Sequence, residues 1–308
     1  MLRSGRLENL NPLLMTLSFV IEISAVCKIG LMMANRTQVA EPVALITGGS
    51  AGLGLAIAKH FSNSGYRVLL VGRKLELLES AKAKLSATCK STVQAYACDV
   101  TEPAQVEALF EFVKSEFKQL DVLVNCVGES DRGLIEDLAP DRLQRLIEVN
   151  LLSSLLCTQK AINLLEESRG VVLNIGSLAS KVGARFIGGY AIAKHALAGL
   201  TQQMRLELKE RGVHVGLLSP GPIQRHDAGS RYSAQIDKEL PDQAKQPGGG
   251  TRVSGLSPEY VASVAFRMVQ KRQPDRVLPS YLRLLIGVGH LSPRLGDWLL
   301  MKFTSNKT

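Results

Sequence analysis

Cysteine is scarce in this chain and follows none of the spacings that bind metals or crosslink small folds. The five cysteines form no CxxC pair, and their number is odd. They are Cys27, Cys89, Cys98, Cys126 and Cys157. We therefore expect neither a metal site nor a disulfide framework. Unpaired thiols of this kind fit a reduced, cytoplasmic compartment best.

Charge of one sign is not concentrated anywhere in the sequence. The chain carries 37 lysines and arginines against 28 acidic residues, which gives a formal net charge of +9. The basic residues are scattered, without the long run or aromatic-interleaved strip that is typical of nucleic-acid binding. We interpret the excess as a solvated basic surface, part of which can serve an anionic cofactor or substrate. No nucleic-acid partner is expected.

An uninterrupted apolar span is also missing. Residues 13–34 are mostly apolar, but Glu22 and Lys28 interrupt them, whereas a membrane-spanning helix needs about 20 apolar residues with few charges. Residues 1–40 are therefore set apart as an N-terminal extension with three open interpretations. They form a weak or peripheral membrane anchor, an extra packed helix, or a stretch upstream of the true start. Peripheral membrane association is accordingly the alternative to a cytoplasmic location.

What the sequence does contain is a regular alternation of short apolar runs and amphipathic stretches over residues 41–280. Short apolar runs are typical of strands in a buried parallel sheet. The alternation predicts an α/β fold, a Rossmann-type doubly wound parallel sheet of about seven strands with helices on both faces. It also predicts one long helix from Pro140 to Glu167 and another from Gly188 to Arg211. Ligands bind such sheets at the carboxyl ends of the strands.

Tyr190 and Lys194 are four residues apart on the second of these helices, so their side chains share a face. A lysine ammonium near a phenol favours the phenolate and lowers the tyrosine pKa from about 10. The pair is a candidate general acid and base for work near neutral pH. His195 falls on another part of the helix, and we interpret it as structural.

A glycine-rich turn follows the first predicted strand, with the sequence TGGSAGLG over residues 47–54. Glycine lets a backbone turn tightly and approach a pyrophosphate closely. The start of the following helix offers N–H groups and a positive dipole end to phosphates. We therefore expect a dinucleotide site here, together with the proton-transfer site of a hydride-transfer enzyme. Its candidate residues are Gly48, Ser50, Gly52, Leu53 and Gly54.

The spacing TGxxxGxG is the pattern of the short-chain dehydrogenase/reductase family, and the chain resembles this family over about residues 42–279. Ser177 lies thirteen residues before Tyr190, as in the family pattern. The tail is similar to that of uncharacterised bacterial, NADP-type members. Further matches follow the later strands: Asp99–Val100 for an adenine-contacting segment, Asn125 and Gly128 for an NNAG motif whose middle is changed, Asn150 for an active-site asparagine, and Pro220, Gly221 and Ile223 for a PG motif.

The resemblance implies a role for each residue of the site. Tyr190 would exchange a proton with the carbonyl or alcohol oxygen, and Ser177 would position that oxygen. Lys194 would lower the tyrosine pKa and hold the nicotinamide ribose, while Asn150 would hold a water that relays protons. The motif residues after the strands, together with Tyr190 and Lys194, would bind the cofactor.

The end of the second predicted strand indicates which cofactor is bound. Arg73 and Lys74 stand there, and no acidic residue occurs between Arg67 and Leu75. An enzyme that selects NAD carries a carboxylate at this place, whereas a basic residue accommodates the 2′-phosphate of NADP. Arginine can hold a phosphate with two hydrogen bonds. We therefore predict NADP(H).

Together these features predict an NADP(H)-dependent oxidoreductase that interconverts a ketone or aldehyde and an alcohol, with a small-molecule substrate. The first alternative is a membrane-associated reductase of a lipid- or sterol-like ketone, because both termini are apolar and offer a membrane contact. The second is a non-catalytic dinucleotide-binding sensor or scaffold. The resemblance also implies a homodimer or homotetramer.

Two segments near the C-terminus are less informative. Residues 225–256 are predicted to form a substrate lid. The apolar and basic tail, residues 281–308, has three open roles: packing on a partner subunit, covering the substrate cleft, or touching a membrane surface. The candidate lid contacts are Asp227, Arg231 and Tyr232, and Arg225 is a candidate contact for a cofactor phosphate or an anionic substrate.

Overall fold

The computed structural model describes residues 41–224, 240–241, 244 and 253–304, and of residues 303 and 304 the backbone only. The N-terminal extension, most of the lid and residues 305–308 lie outside the described residues. Arg225 and the predicted lid contacts Asp227, Arg231 and Tyr232 lie outside them too.

Strands and helices alternate along the described chain. The strands are β1 (Val43–Thr47), β2 (Arg67–Gly72), β3 (Val93–Ala97), β4 (Val122–Asn125), β5 (Val171–Ile175), β6 (His214–Pro220) and β7 (Asp275–Leu278). The helices are α1 (Gly52–Asn63), α2 (Leu75–Ser86), α3 (Pro103–Glu116), α4 (Pro140–Ile147), α5 (Ser153–Glu167), α6 (Tyr190–Glu207), α7 (Pro258–Gln270), α8 (Leu282–Leu291) and α9 (Pro293–Thr304).

The seven strands form one sheet in the order β3-β2-β1-β4-β5-β6-β7. Every neighbouring pair is parallel, which confirms the predicted doubly wound sheet. The winding reverses between β1 and β4, where Ile46 pairs with Val124. A crevice for ligands opens at such a switch point, beyond the carboxyl ends of the strands.

Alternate residues of β1 reach two separate cores, one on each face of the sheet. Ala44 and Ile46 pack with α1 and α7, whereas Val43 and Leu45 pack with α3 and α5. All five residues of β1 are buried. Because burial of each such large side chain stabilises the fold by about 1.5–3 kcal/mol, the central strands are a firm support for the turns at their ends.

The predicted long helix from Pro140 to Glu167 is interrupted, and this prediction was wrong in its middle. A π-helical turn at Glu148–Leu152 separates α4 from α5. Here Asn150 Nδ2 donates to the carbonyl of Leu146 at 3.0 Å. Side-chain bonds to nearby carbonyls loosen helical turns, and π-turns often mark functional sites.

The other boundaries differ by a few residues. Helix α6 begins at Tyr190 and ends at Glu207, inside the predicted limits. Strand β6 continues to Pro220 because Ser219 and Pro220 pair with β7. Among the described helices, none is long and apolar enough to span a bilayer.

The apolar tail forms two helices, α8 and α9, which we call the C-terminal helix pair. Only Ser292 joins them. They meet closely at two glycines, since a Cβ on Gly296 would lie 2.8 Å from the Cα of Gly289. The pair follows directly on β7, at the edge of the sheet.

Candidate active site

A cavity of about 780 Å³ lies at the carboxyl ends of the strands, within the usual size of small-molecule sites. The segments that follow β4, β5 and β6 contribute Gly128, Ser177 and Gly221 to its wall. The C-terminal helix pair lines it as well. Nine of the predicted site residues therefore meet in one cavity: Gly52, Leu53, Gly128, Ser177, Tyr190, Lys194, Pro220, Gly221 and Ile223.

Tyr190 and Lys194 project into the cavity from the first turns of α6. Lys194 Nζ lies 5.8 Å from the centroid of the Tyr190 ring and donates to the carbonyl of Ile175 at 3.0 Å. The lysine is only 3% exposed, and this burial lowers its pKa to about 8. At neutral pH the ammonium therefore stays charged beside the phenol, where it favours the phenolate.

Ser177 lies directly after β5, where a short 3₁₀ turn at Leu178–Ser180 begins. Its Oγ accepts a hydrogen bond from the N–H of Ala179 at 3.2 Å. The Ser177 N–H in turn donates to Ser180 Oγ at 3.1 Å. The first bond holds the hydroxyl oxygen and the second holds the backbone of Ser177, while the hydroxyl proton stays available to an oxygen in the cavity.

Asn150 does not line the cavity but lies behind it, in the π-turn. Its amide exchanges two bonds with the backbone of Glu129, donating at 2.9 Å and accepting at 3.2 Å. A Cβ on Gly128 would lie 3.0 Å from Asn150 Oδ1 and 3.2 Å from Lys194 Nζ. Because Gly128 has no side chain, a small space stays open between the amide and the ammonium.

The glycine-rich turn has the geometry that a diphosphate requires. Gly48 and Gly52 have φ values of +69° and +55°, a region that favours glycine. A Cβ on Gly54 would lie 2.2 Å from the Gly48 carbonyl oxygen, so only glycine allows this close approach of helix and turn. Ala51, which precedes α1, supplies no side-chain cap, so the first N–H groups of α1 remain available to an anion.

Arg73 and Lys74 lie on the rim of the same sheet edge, exposed after β2. Asp99 follows the neighbouring strand, and its Oδ1 accepts bonds from the N–H and hydroxyl of Thr101 at 3.1 and 2.7 Å. Burial acts to raise the pKa of Asp99, but the Thr101 bonds and the charges of Arg73 and Arg145 outweigh it and lower that pKa. An ionised carboxylate and an arginine thus stand together at this edge.

Two predicted cofactor residues turn their side chains into the interior. Val100 is 3% exposed and packs in the core. Asn125, also 3% exposed, donates to Asn174 Oδ1 at 2.8 Å and to Thr158 Oγ1 at 3.2 Å. Both side chains are held in the interior, and the binding of the cofactor by these two residues stays a prediction.

Several residues of the cavity wall were not predicted from the sequence. Ser130 lines it with a buried hydroxyl that has no hydrogen-bond partner among the described residues. His195 lines it too, and its interpretation as structural stays a prediction. The buried guanidinium of Arg132 is a third group of the cavity wall that was not predicted. Nothing in the sequence pattern singles out Ser130 or Arg132.

Comparison with known proteins agrees with this geometry. A sequence model described as short chain dehydrogenase matches residues 42–235. The D-beta-hydroxybutyrate dehydrogenase of Rhizobium meliloti is 31% identical over 235 residues, which are 76% of this chain and 84% of that protein.

Two solved structures are similar over most of the fold. The actinorhodin polyketide ketoreductase, solved with NADPH, is 26% identical with a TM-score of 0.69, over 77% of this chain and 95% of that one. A short chain dehydrogenase/reductase of Burkholderia phymatum, solved in complex with NAD, is 21% identical with a TM-score of 0.73, over 83% and 95%. At that lower identity the likeness concerns the fold alone.

Proposed function

The chain belongs to the short-chain dehydrogenase/reductase family of oxidoreductases, and on this premise we propose that it uses NADP(H) to interconvert a ketone or aldehyde and an alcohol. One observation carries the proposal. Ser177, Tyr190 and the buried Lys194 line a single cavity that also reaches the glycine-rich turn. A binding module has no need of a lysine that is buried beside a tyrosine in its ligand site.

The residues present fit a phosphorylated dinucleotide. Gly48 and Gly52 shape the turn, and Gly54 lets it pack closely on the start of α1, where backbone N–H groups favour a diphosphate. Arg73 is exposed at the end of β2, where it can hold a 2′-phosphate. When bound, the cofactor supplies or accepts the hydride at the carbonyl carbon.

The chain's own residues would handle the proton. Tyr190 donates its phenolic proton to the carbonyl oxygen in reduction, or takes the proton of the alcohol in oxidation. Ser177 donates a hydrogen bond to the same oxygen and so orients it. The ammonium of Lys194 stabilises the phenolate that is left, and the space beside Gly128 and Asn150 is the exit for the proton.

Cofactor binding tests this proposal first. NADPH and NADH would be titrated against the wild type, Arg73→Glu and, as a matched control on the next helix, Lys84→Glu. We expect the wild type to prefer NADPH. Arg73→Glu should weaken NADPH binding by about tenfold to a hundredfold, since hydrogen bonds to charged groups contribute about 1.5–3 kcal/mol. Lys84→Glu should leave both affinities unchanged.

Other outcomes would each point elsewhere. A preference for NADH in the wild type would contradict the assignment of Arg73. An equal loss of NADPH affinity in Arg73→Glu and Lys84→Glu would contradict it too. Failure to bind either nucleotide would contradict the enzyme proposal itself. Tight binding without turnover of any ketone in a screen would favour a non-catalytic sensor.

A further inference from the structure

The inner face of the C-terminal helix pair forms one wall of the active-site cavity. Most side chains of this wall are apolar, although His290 and Asp297 line the cavity as well. The large apolar ones are Leu282, Leu285, Ile286, Leu299 and Leu300. No residue of α8 is buried, so this face lies over open cavity rather than over packed core. A substrate with an apolar body would be in contact with these leucines.

The outer face of the same pair is apolar as well, although it faces solvent. Leu284 is 75% exposed, Leu291 89% and Trp298 55%. Leu284 and Leu291 are seven residues apart and therefore share one side of α8. Several large apolar side chains exposed together on one element mark an interaction surface rather than ordinary protein surface.

The charges around this apolar patch are mainly positive. Arg283, Arg294 and Lys302 are exposed on the pair, against a single acidic residue, Asp297. Lys302 Nζ lies 4.8 Å from the centre of the Trp298 ring. Exposed tryptophan and leucine flanked by basic residues are typical of helices that lie in the interface of an anionic bilayer.

We propose that the outer face of the C-terminal helix pair docks on an anionic membrane surface, and that the cavity behind it takes a lipophilic ketone or alcohol from the bilayer. The substrate part of this inference rests on the proposed function, whereas the docking part does not. The helices have 10 and 12 residues, about 15–18 Å in length, so they lie along the surface and do not cross it.

A second copy of the chain is a less suitable occupant of this face. A symmetric pairing places the same patch on both subunits, so it would bring two copies of the positively charged Arg283, Arg294 and Lys302 into one interface. Phosphate headgroups instead neutralise these charges. The charge pattern therefore favours the membrane.

Trp298 provides a direct probe, because it is the only tryptophan of the chain. The fluorescence of the full chain would be recorded with vesicles of phosphatidylcholine, alone or mixed with phosphatidylserine. We expect a blue shift and quenching by brominated acyl chains with the anionic vesicles, and a much weaker response with the neutral ones.

Variants locate the docking surface. Leu284→Ser combined with Leu291→Ser should reduce vesicle partitioning at least about tenfold, given the apolar area withdrawn from lipid. Arg283→Gln should reduce it about fivefold, and on anionic vesicles only. The matched control combines Leu75→Ser and Leu77→Ser on α2, each 51% exposed in the wild type, and should partition like the wild type.

Several results would overturn the docking. Vesicle binding that leaves Trp298 unquenched would mean that another part of the chain makes the contact. A spectral change that depends on protein concentration and not on vesicles would indicate a second copy instead. If the control variant loses as much vesicle partitioning as the variant of Leu284 and Leu291, the effect is general to exposed leucines.

Turnover in the same preparations separates this inference from the proposed function. The docking variants should keep their rate on a small water-soluble ketone and lose rate on a long-chain ketone carried in vesicles. An equal loss on both ketones would overturn the substrate class. Quenching without any turnover would instead sink the proposed chemistry and leave the docking intact.

Discussion

The two walls of the cavity are built in opposite ways. On the sheet side, Lys194 in the wall and Asn150 behind it are 3% and 0% exposed, and each is held by backbone hydrogen bonds. On the other side, no residue of α8 is buried. Proton transfer needs groups fixed to a fraction of an ångström, whereas a wall that only contacts the substrate does not.

This difference indicates where the molecule can change without losing its chemistry. Elements with few buried contacts open at low free-energy cost, so the C-terminal helix pair can move while the sheet and α6 stay in place. If the proposed function holds, substrate choice and catalysis therefore reside on separate elements. Variants of the sheet-side wall, which we call the packed wall, and of the C-terminal helix pair, which we call the looser wall, test this separation.

Replacement of Tyr190 should have the largest effect. Tyr190→Phe removes the phenolic oxygen and keeps the ring, so we expect kcat/KM to fall by about 10²–10⁴, the usual contribution of general acid–base catalysis. Binding of NADPH and the free energy of unfolding should change little. The measurement is turnover of a small ketone by the purified variant, with its cofactor affinity as control. Retained turnover would exclude Tyr190 as the proton donor.

The buried charge of Lys194 should lower the free energy of unfolding of the wild type. Its pKa is lowered by burial from 10.5 to about 8, so between these values the unfolded chain binds more protons than the folded one. Wild-type stability should therefore rise as the pH increases from about 8 to 10.5. Below pH 8 the charged lysine destabilises the fold by up to about 3 kcal/mol, at 1.36 kcal/mol per pKa unit.

Lys194→Met makes this testable, because methionine is uncharged and of similar length. At pH 7 the variant should be inactive but up to about 3 kcal/mol more stable in denaturant unfolding, less the lost bond to Ile175. The gain should shrink as the pH rises above 8. If Lys194→Met is less stable than the wild type at every pH, the buried charge of Lys194 does not destabilise the fold.

The packed wall was also the part that the sequence could predict. Its strands follow from short apolar runs such as Val43–Thr47, and the positions of Ser177, Tyr190 and Lys194 follow from their spacing. These features depend on local backbone geometry and on the period of burial, both of which are written in consecutive residues. The interruption of the helix at Asn150 was not predicted from the sequence. A π-turn arises from side-chain bonds to single carbonyls, and such bonds leave no period in the sequence.

The second wall could be foreseen only as a set of alternatives. The apolar and basic composition of residues 281–308 suggested a covering, a partner contact or a membrane contact, and in the structure residues 281–300 of this segment contribute to the wall of the cavity. Composition alone could not decide this, since the position of α8 depends on how the chain leaves β7. Ser130 was unpredictable for a similar reason, because its meaning comes from a cavity formed by distant segments.

The smallest expected effect tests the looser wall. Leu285→Ala shortens a side chain that lines the cavity without being buried, so the free energy of unfolding should change by less than about 1 kcal/mol. The reference is Leu123→Ala in β4, fully buried at 0% exposure, which should cost about 2–5 kcal/mol.

For Leu285→Ala we expect KM to rise a few-fold for a long apolar ketone and to stay constant for a small one, with kcat unchanged. Urea unfolding and steady-state kinetics on both ketones measure this. If Leu285→Ala destabilises the chain as much as Leu123→Ala, the two walls share one core and the separation of substrate choice from catalysis does not hold.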